Sequence, residues 1–310
     1  MIDSAVSSKG EVRHHANTNH YGKPVMKPHR ANSHFVVRES VKLHHLDWGN
    51  HGRHPVVLVH GVRLHAHVWN DFSRRFGDRY HVLAIDQRGH GDSEWGHEDS
   101  YHLEEFYSDL RAVIKERGLK RFTLIGHSLG GMVSMLYAHR HPEDLERLVL
   151  VDITAGRPPV PEGTDLSRIS ETPPPGDFDS PEKAIDYLAK IMSMAPKDLV
   201  EESVHHGIRR TTSGRYTWKY DPALLRGKRP TASMPDLWQL VSEIHTPTLL
   251  QYGAKSRVVT RDLAEKMQKV MPRCRVECIE QAGHALFTDR PDEFAASIER
   301  FLAGSDLGGS

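Results

Sequence analysis

The chain has 310 residues, with 41 Lys and Arg against 41 Asp and Glu, so its net charge is zero while its 23 histidines are neutral. That length corresponds to about two domains, or to one large domain with an insert, and it can bury a core without disulfide or metal staples. The balanced charge argues against a general nucleic-acid binder, the two cysteines exclude a disulfide-dense scaffold, and no run nears the roughly 18 apolar residues of a membrane helix.

Residues 1–33 are polar and rich in histidine (His14, His15, His20, His29) and have no apolar leader. They are expected to form a mostly disordered arm, and the missing leader points to a cytoplasmic protein. From residue 35 onward short apolar runs alternate with helical patterns. Phe35–Val37 and Val41–Leu46 read as an opening antiparallel pair. The runs 55–59, 81–85, 122–125 and 148–151 are nearly continuous in apolar residues, as strands buried on both faces require. Helical spacing marks Leu103–Arg117 and Ser128–His141 between them.

The alternation stops near residue 155. A segment rich in Pro, Gly and Ser follows, to Asp179. Ser180-Pro181-Glu182 then starts a helix that is expected to run to about Ala195, and a second is expected from about Lys197 to Arg209. Strand and helix alternate again over 247–252, Thr260–Met271, Cys274–Ile279 and Pro291–Leu302. These elements predict an α/β fold: a mostly parallel eight-stranded sheet flanked by helices. It comes in two sequence pieces, 34–155 and 236–303, with an inserted helical cap over 156–235 and a tail at 304–310. The two cysteines, Cys274 and Cys278, fall in the pattern of a half-buried strand, so they are read as packing residues and not as metal ligands.

The most informative stretch is Gly126-His127-Ser128-Leu129-Gly130. It lies between a buried strand and a helix, the setting in which Gly-x-Ser-x-Gly forms a nucleophile elbow. The serine sits on a tight turn, so the residues two before and two after it must be small. The helix that follows places its N-terminal end under Ser128 and favours negative charge there. A serine nucleophile needs a base. His284, in Gly283-His284 between the last strand and the last helix, lies beyond the carboxyl end of a strand, where open parallel sheets gather functional groups.

With these residues in place the chain resembles a serine-nucleophile α/β-hydrolase with a helical cap. His60-Gly61 resembles the oxyanion loop of that family, Asp86–Ser93 its loop after the fourth strand, Gly126–Gly131 its elbow and Gly283-His284 its histidine loop. The resemblance implies that the backbone N–H groups of Val62 and Leu129 form the oxyanion hole. It also implies an acid after the seventh strand, where this chain has Gly253-Ala254-Lys255-Ser256-Arg257. Arg257 has the wrong sign for that role. Three readings remain: the acid has moved, the site is dead, or the loop is misaligned. Asp152, closing the sixth strand, stands where some members, including haloalkane dehalogenases, carry their acid. Asp262 is its rival, although it also fits the first turn of a helix.

The expected function is that of a cofactor-free serine hydrolase, acting by acyl transfer on a small ester or lactone through Ser128, His284 and Asp152, with no metal. The alternatives are hydrolysis of a C–C or amide bond in a small acidic metabolite, and ligand binding with little turnover. Arg63 and Arg257 are candidates to bind a substrate carboxylate. Trp218 is read either as a pocket wall or as an aromatic anchor of the cap. The expected partner is a small-molecule substrate, with neither nucleic acid nor membrane involved.

Overall fold

The computed structural model describes residues 30–158, 176–226 and 235–304. Most of the arm, the proline-rich start of the insert and the tail lie outside the described residues.

The chain opens with β1 (Asn32–Arg38) and β2 (Val41–Asp47), then β3 (Pro55–Val59), α1 (Asn70–Phe76), β4 (His81–Ile85) and α2 (Leu103–Glu116). β5 (Phe122–His127), α3 (Leu129–Arg140) and β6 (Leu145–Val151) complete the first piece of the sheet. The excursion that follows contains α4 (Pro181–Ile191), α5 (Lys197–Gly207), β7 (Ile208–Arg210), β8 (Tyr216–Trp218) and α6 (Ala223–Arg226). The chain returns through α7 (Leu237–Ser242), β9 (Thr248–Gly253), α8 (Arg261–Val270), β10 (Cys274–Ile279), α9 (Leu286–Asp289) and α10 (Pro291–Leu302).

The eight-stranded sheet has the order β1-β2-β4-β3-β5-β6-β9-β10. β2 pairs antiparallel with β1 and β4, and the remaining pairs are parallel. The pleat of β3 shows why its sequence is apolar throughout. Val57 and Val59 pack with α2 and α3 on one face, whereas Val56 and Leu58 pack with Trp69, Phe72 and Phe294 on the other. β3 lies between β4 and β5, so the strand order reverses there. Chain segments leaving the carboxyl ends of β3 and β5 open a crevice at that point.

Three expectations need correction. β1 begins at Asn32, inside the segment assigned to the arm, and the Ser33 hydroxyl lies 3.0 Å from Nε2 of His44 on β2. α4 stops at Ile191 and not near Ala195. α5 stops at Gly207, because Ile208 turns extended and pairs with Trp218. A side chain at Gly207 would meet His65 Nε2 at 2.9 Å, so glycine allows this close approach. Among the described residues, no helix is long and apolar enough to cross a membrane.

The excursion has a small core of its own, built on Phe178, Ala184, Val204 and Ile208. It docks on the first piece of the sheet domain through polar contacts. Arg74 grips Glu202 with both guanidinium nitrogens at 2.8 Å, and Asn70 donates to the same carboxylate at 2.8 Å. The His67 and His206 rings stack at 3.6 Å with 8° between their planes.

Candidate active site

Ser128 occupies the turn from β5 into α3 with φ 52° and ψ −115°. This conformation costs a non-glycine residue about 1–3 kcal/mol and persists only where the surroundings over-determine it. The neighbouring glycines show what does so. A side chain at Gly126 would overlap the Gly130 carbonyl, and one at Gly130 would overlap the Val59 carbonyl. Gly61, after β3, comes so close that an added Cβ would lie 3.0 Å from Ser128 Cβ. The crevice between β3 and β5 therefore brings the Gly61 turn onto the elbow. Leu64 N–H closes that turn on Gly61 O at 3.3 Å, and Arg63 takes φ 66° as its third residue. His60, buried beneath it, donates from Nδ1 to Gly61 O at 2.7 Å and accepts the Gln87 N–H on Nε2 at 3.1 Å. Burial lowers its pKa to about 4 and keeps the ring neutral.

His284 and Asp152, 132 positions apart in the chain, come together at the carboxyl ends of the strands. Asp152 follows β6, has φ 49° and is fully buried. Its Oδ2 accepts from His284 Nδ1 at 2.6 Å and from the Ser256 hydroxyl at 2.5 Å, and its Oδ1 accepts the Gly253 N–H at 3.1 Å. Three donors fix the orientation of this carboxylate. With Nδ1 donating, the lone pair of His284 is on Nε2. The histidine loop is fastened to the end of β9, since Lys255 N–H donates to Ala282 O at 2.8 Å. The buried Asp289 carboxylate accepts the Gly283 N–H at 2.8 Å, and burial pushes its pKa above the usual range. His127, next to Ser128, donates from Nε2 to His284 O at 2.9 Å. Burial holds its pKa well below the ordinary value. The elbow and the histidine loop are thus joined by a neutral imidazole.

Residues 56–297 match the pattern of the alpha/beta hydrolase family. The chain belongs to the alpha/beta hydrolase family. It is 28% identical over 264 residues to an sn-1-specific diacylglycerol lipase from Mus musculus, across 80% of each chain. It is 28% identical over 255 residues to an esterase from Mycobacterium tuberculosis, across 79% of this chain and 81% of that one. Among solved structures, an alpha/beta hydrolase from Novosphingobium aromaticivorans aligns with a TM-score of 0.76 at 25% identity, over 88% of this chain and 98% of that one.

The other predicted site residues of this hydrolase fall in different places. Val62 and Arg63 are exposed on the turn beside the elbow, and Leu129 is the first residue of α3. Arg63 lies near enough to Tyr220 for its charge to oppose the rise that burial gives the phenol, which is pushed up to about 12. Trp218 meets Phe178 edge-on at 5.3 Å and stacks with Tyr220 at 6.3 Å, within the small core of the excursion. Arg257 is exposed one residue past Ser256, and Asp262 is exposed in the first turn of α8, capped by Thr260. Asp86 is structural in its contacts: it bonds His44 Nδ1 at 2.7 Å and accepts the N–H groups of Ala66 at 2.6 Å and Asp92 at 3.0 Å. Ser256 and Asp289 were not anticipated. Ser256 could have been found, because a hydroxyl one residue before the expected acid position can reach a carboxylate on the neighbouring strand. Asp289 gave no signal, since its approach to Gly283 depends on the short helix α9.

Proposed function

We propose that this hydrolase cleaves a small ester or lactone by acyl transfer through Ser128, His284 and Asp152, without a cofactor. The observation that carries the proposal is the 2.6 Å bond from His284 Nδ1 to the buried Asp152, formed on a loop that His127 ties to the elbow. In the first step His284 Nε2 takes the Ser128 hydroxyl proton while Oγ attacks the carbonyl carbon. The charge left on the carbonyl oxygen falls to the N–H groups of Val62 and Leu129. The first N–H groups of a helix have no acceptor within it, and each oxyanion donor is worth about 3 kcal/mol in the transition state. Collapse of the intermediate expels the alcohol, which takes the proton from Nε2. Water, deprotonated by the same nitrogen, then releases the acid and restores Ser128. Asp152 keeps the imidazole in the Nδ1–H form and stabilises its cation in both steps. Arg63, at the lip of this site, is suited to a substrate carboxylate, and the excursion would serve as a cap that limits water.

A fluorophosphonate probe and a panel of esters and lactones test this reading. The wild type is expected to be labelled on Ser128 and to turn over members of the panel, and Ser128→Ala is expected to do neither. An unlabelled wild type that binds esters without cleaving them would overturn the proposal in favour of a ligand-binding member.

A further inference from the structure

A second cluster of coordinating side chains lies at the end of the sheet away from Ser128. β4 runs from His81 toward Asp86, so His81 stands at the opposite end from the catalytic crevice. β2 is antiparallel to β4 and finishes at Asp47, on the same side. The turn into β3 then folds back on itself, with Gly49, Asn50 and Gly52 at φ 76°, 63° and 91°. The Asn50 side chain pins it by donating to the carbonyls of Gly77 at 3.0 Å and Asp78 at 2.9 Å. This places His51 edge-on to His81, with ring centroids 4.5 Å apart.

The carboxylate of Asp47 is buried and divides its two oxygens. Oδ2 pairs with Arg117, while Oδ1 accepts from His81 Nε2 at 3.0 Å and from the Gly49 N–H at 2.9 Å. We propose that Asp47, His51 and His81 bind a divalent transition-metal ion of the zinc type, since one ligand atom from each lies within 4.8 Å of the others. Two imidazole nitrogens and one carboxylate oxygen form a donor set suited to zinc, at bonds of about 2.0–2.2 Å. Tetrahedral coordination at that length sets ligand atoms about 3.4 Å apart. The Oδ1–Nε2 pair is already near this spacing, and His51, on an exposed turn, closes the rest by side-chain rotation. The ion replaces the proton between Asp47 and His81: the His81 proton moves from Nε2 to Nδ1, and Nε2 turns its lone pair to the metal. Arg117 keeps Oδ2 and orients the carboxylate from outside. Water fills the fourth position. Bound there, the ion ties β2, β4 and the intervening turn together and acts on stability rather than on the reaction.

Two other histidine–carboxylate groups among the described residues are less suited. In the group of His44, Asp86 and Asp92 the exposed member, Asp92, is already paired with Lys219 at 2.6 Å, and His141 and Asp144 are engaged by Tyr107 and Tyr137.

Thermal denaturation of the full chain against ZnCl2 tests the proposal. A metal site assembled by folding raises Tm, and comparison with His51→Ala cancels zinc bound elsewhere on the chain. At zinc 100 times above Kd the rise is expected to be about 5 °C. His51 is exposed, so His51→Ala should keep the metal-free Tm and lose the rise. No rise in the wild type, or an equal rise in His51→Ala, overturns the site. Co2+ gives an independent reading: the wild type minus His51→Ala difference spectrum should show a ligand-field band in the visible, and a flat difference refutes the assignment.

Discussion

Asp152→Asn separates an orienting acid from a buried structural carboxylate. The wild-type side chain accepts the Gly253 N–H on Oδ1 and both His284 Nδ1–H and the Ser256 hydroxyl on Oδ2. Asparagine has one oxygen. The Gly253 N–H is a fixed backbone donor, so that oxygen must take the Oδ1 place. The NH2 group then lies at the Oδ2 place and donates to His284 Nδ1. The ring must now carry its proton on Nε2, where the lone pair is needed. Ser256 can adapt, because its hydroxyl oxygen stays held by the Val258 and Val259 N–H groups at 3.0 and 3.2 Å while its O–H turns away from the amide. The fold should therefore survive while kcat falls about 10⁴-fold, equal to about 5.5 kcal/mol of barrier. Steady-state hydrolysis of a chromogenic ester, with circular dichroism to check the fold, measures both. Asp262→Asn is the control and should change kcat by about twofold or less, as expected of an exposed substitution. A folded Asp152→Asn enzyme within tenfold of wild type, or a collapse of turnover in Asp262→Asn, would refute the reasoning.

Four further outcomes are expected. Ser256→Ala removes one charge-assisted bond to Asp152, and kcat should drop by roughly ten- to a hundredfold with little change in KM; an unchanged kcat would show that Gly253 alone suffices. Gly130→Ala forces a methyl onto the Val59 carbonyl and should destabilise the fold by about 3 kcal/mol or more, read as a lower urea midpoint. Arg63→Gln should lower kcat/KM by about tenfold or more for esters bearing a distal carboxylate and spare neutral ones; equal losses would remove Arg63 from substrate recognition. Stability should fall steeply between about pH 6.5 and 4. His60 and His65 are buried neutral with pKa values lowered to about 4, and His90 is lowered to about 3. The unfolded chain takes up these protons below about pH 6.5 and the native state does not, so each histidine costs about 2 kcal/mol at pH 5. Their neutral form is stabilised in full above that range, and thermal melts at pH 7.5 and pH 5 should differ accordingly; equal Tm values would contradict their burial as neutral rings.

Much of the fold was legible because its physics is local. β3, β4, β5 and β6 are buried on both faces, which requires continuous apolar sequence, and α10 has proline at its start and a clear apolar stripe. The excursion was less legible. Its hairpin joins two three-residue strands, and α5 ends where Ile208 pairs with Trp218, ten positions further along the chain, which no helical period encodes. The elbow was legible for the opposite reason. The steric demand of one backbone conformation at Ser128 fixes the residues at 126 and 130, so a tertiary constraint is written in five consecutive letters.

The place of the proposed acid shows where a pattern read along the chain gives way to the sheet. In sequence, 104 positions separate Asp152 from Ser256, and Arg257 after it looks like a lost catalytic group. In the sheet, β6 and β9 are neighbours: Val151 pairs with Gln251, and Asp152 N–H donates to Gln251 O at 2.8 Å. The carboxyl ends of the two strands therefore open over the same space, and a carboxylate from either can meet one imidazole. An acid proposed on β6 needs different support from one on β9. At the end of β9 a carboxylate would extend from its own loop. From Asp152 it crosses to that loop, which answers with the Gly253 N–H and the Ser256 hydroxyl. The Gly253 N–H holds Oδ1 and the Ser256 hydroxyl shares Oδ2 with His284 Nδ1, so the carboxylate is held at both oxygens. With them in place the residue at 257 is released from any need to be acidic, so an exposed arginine there is compatible with an intact site.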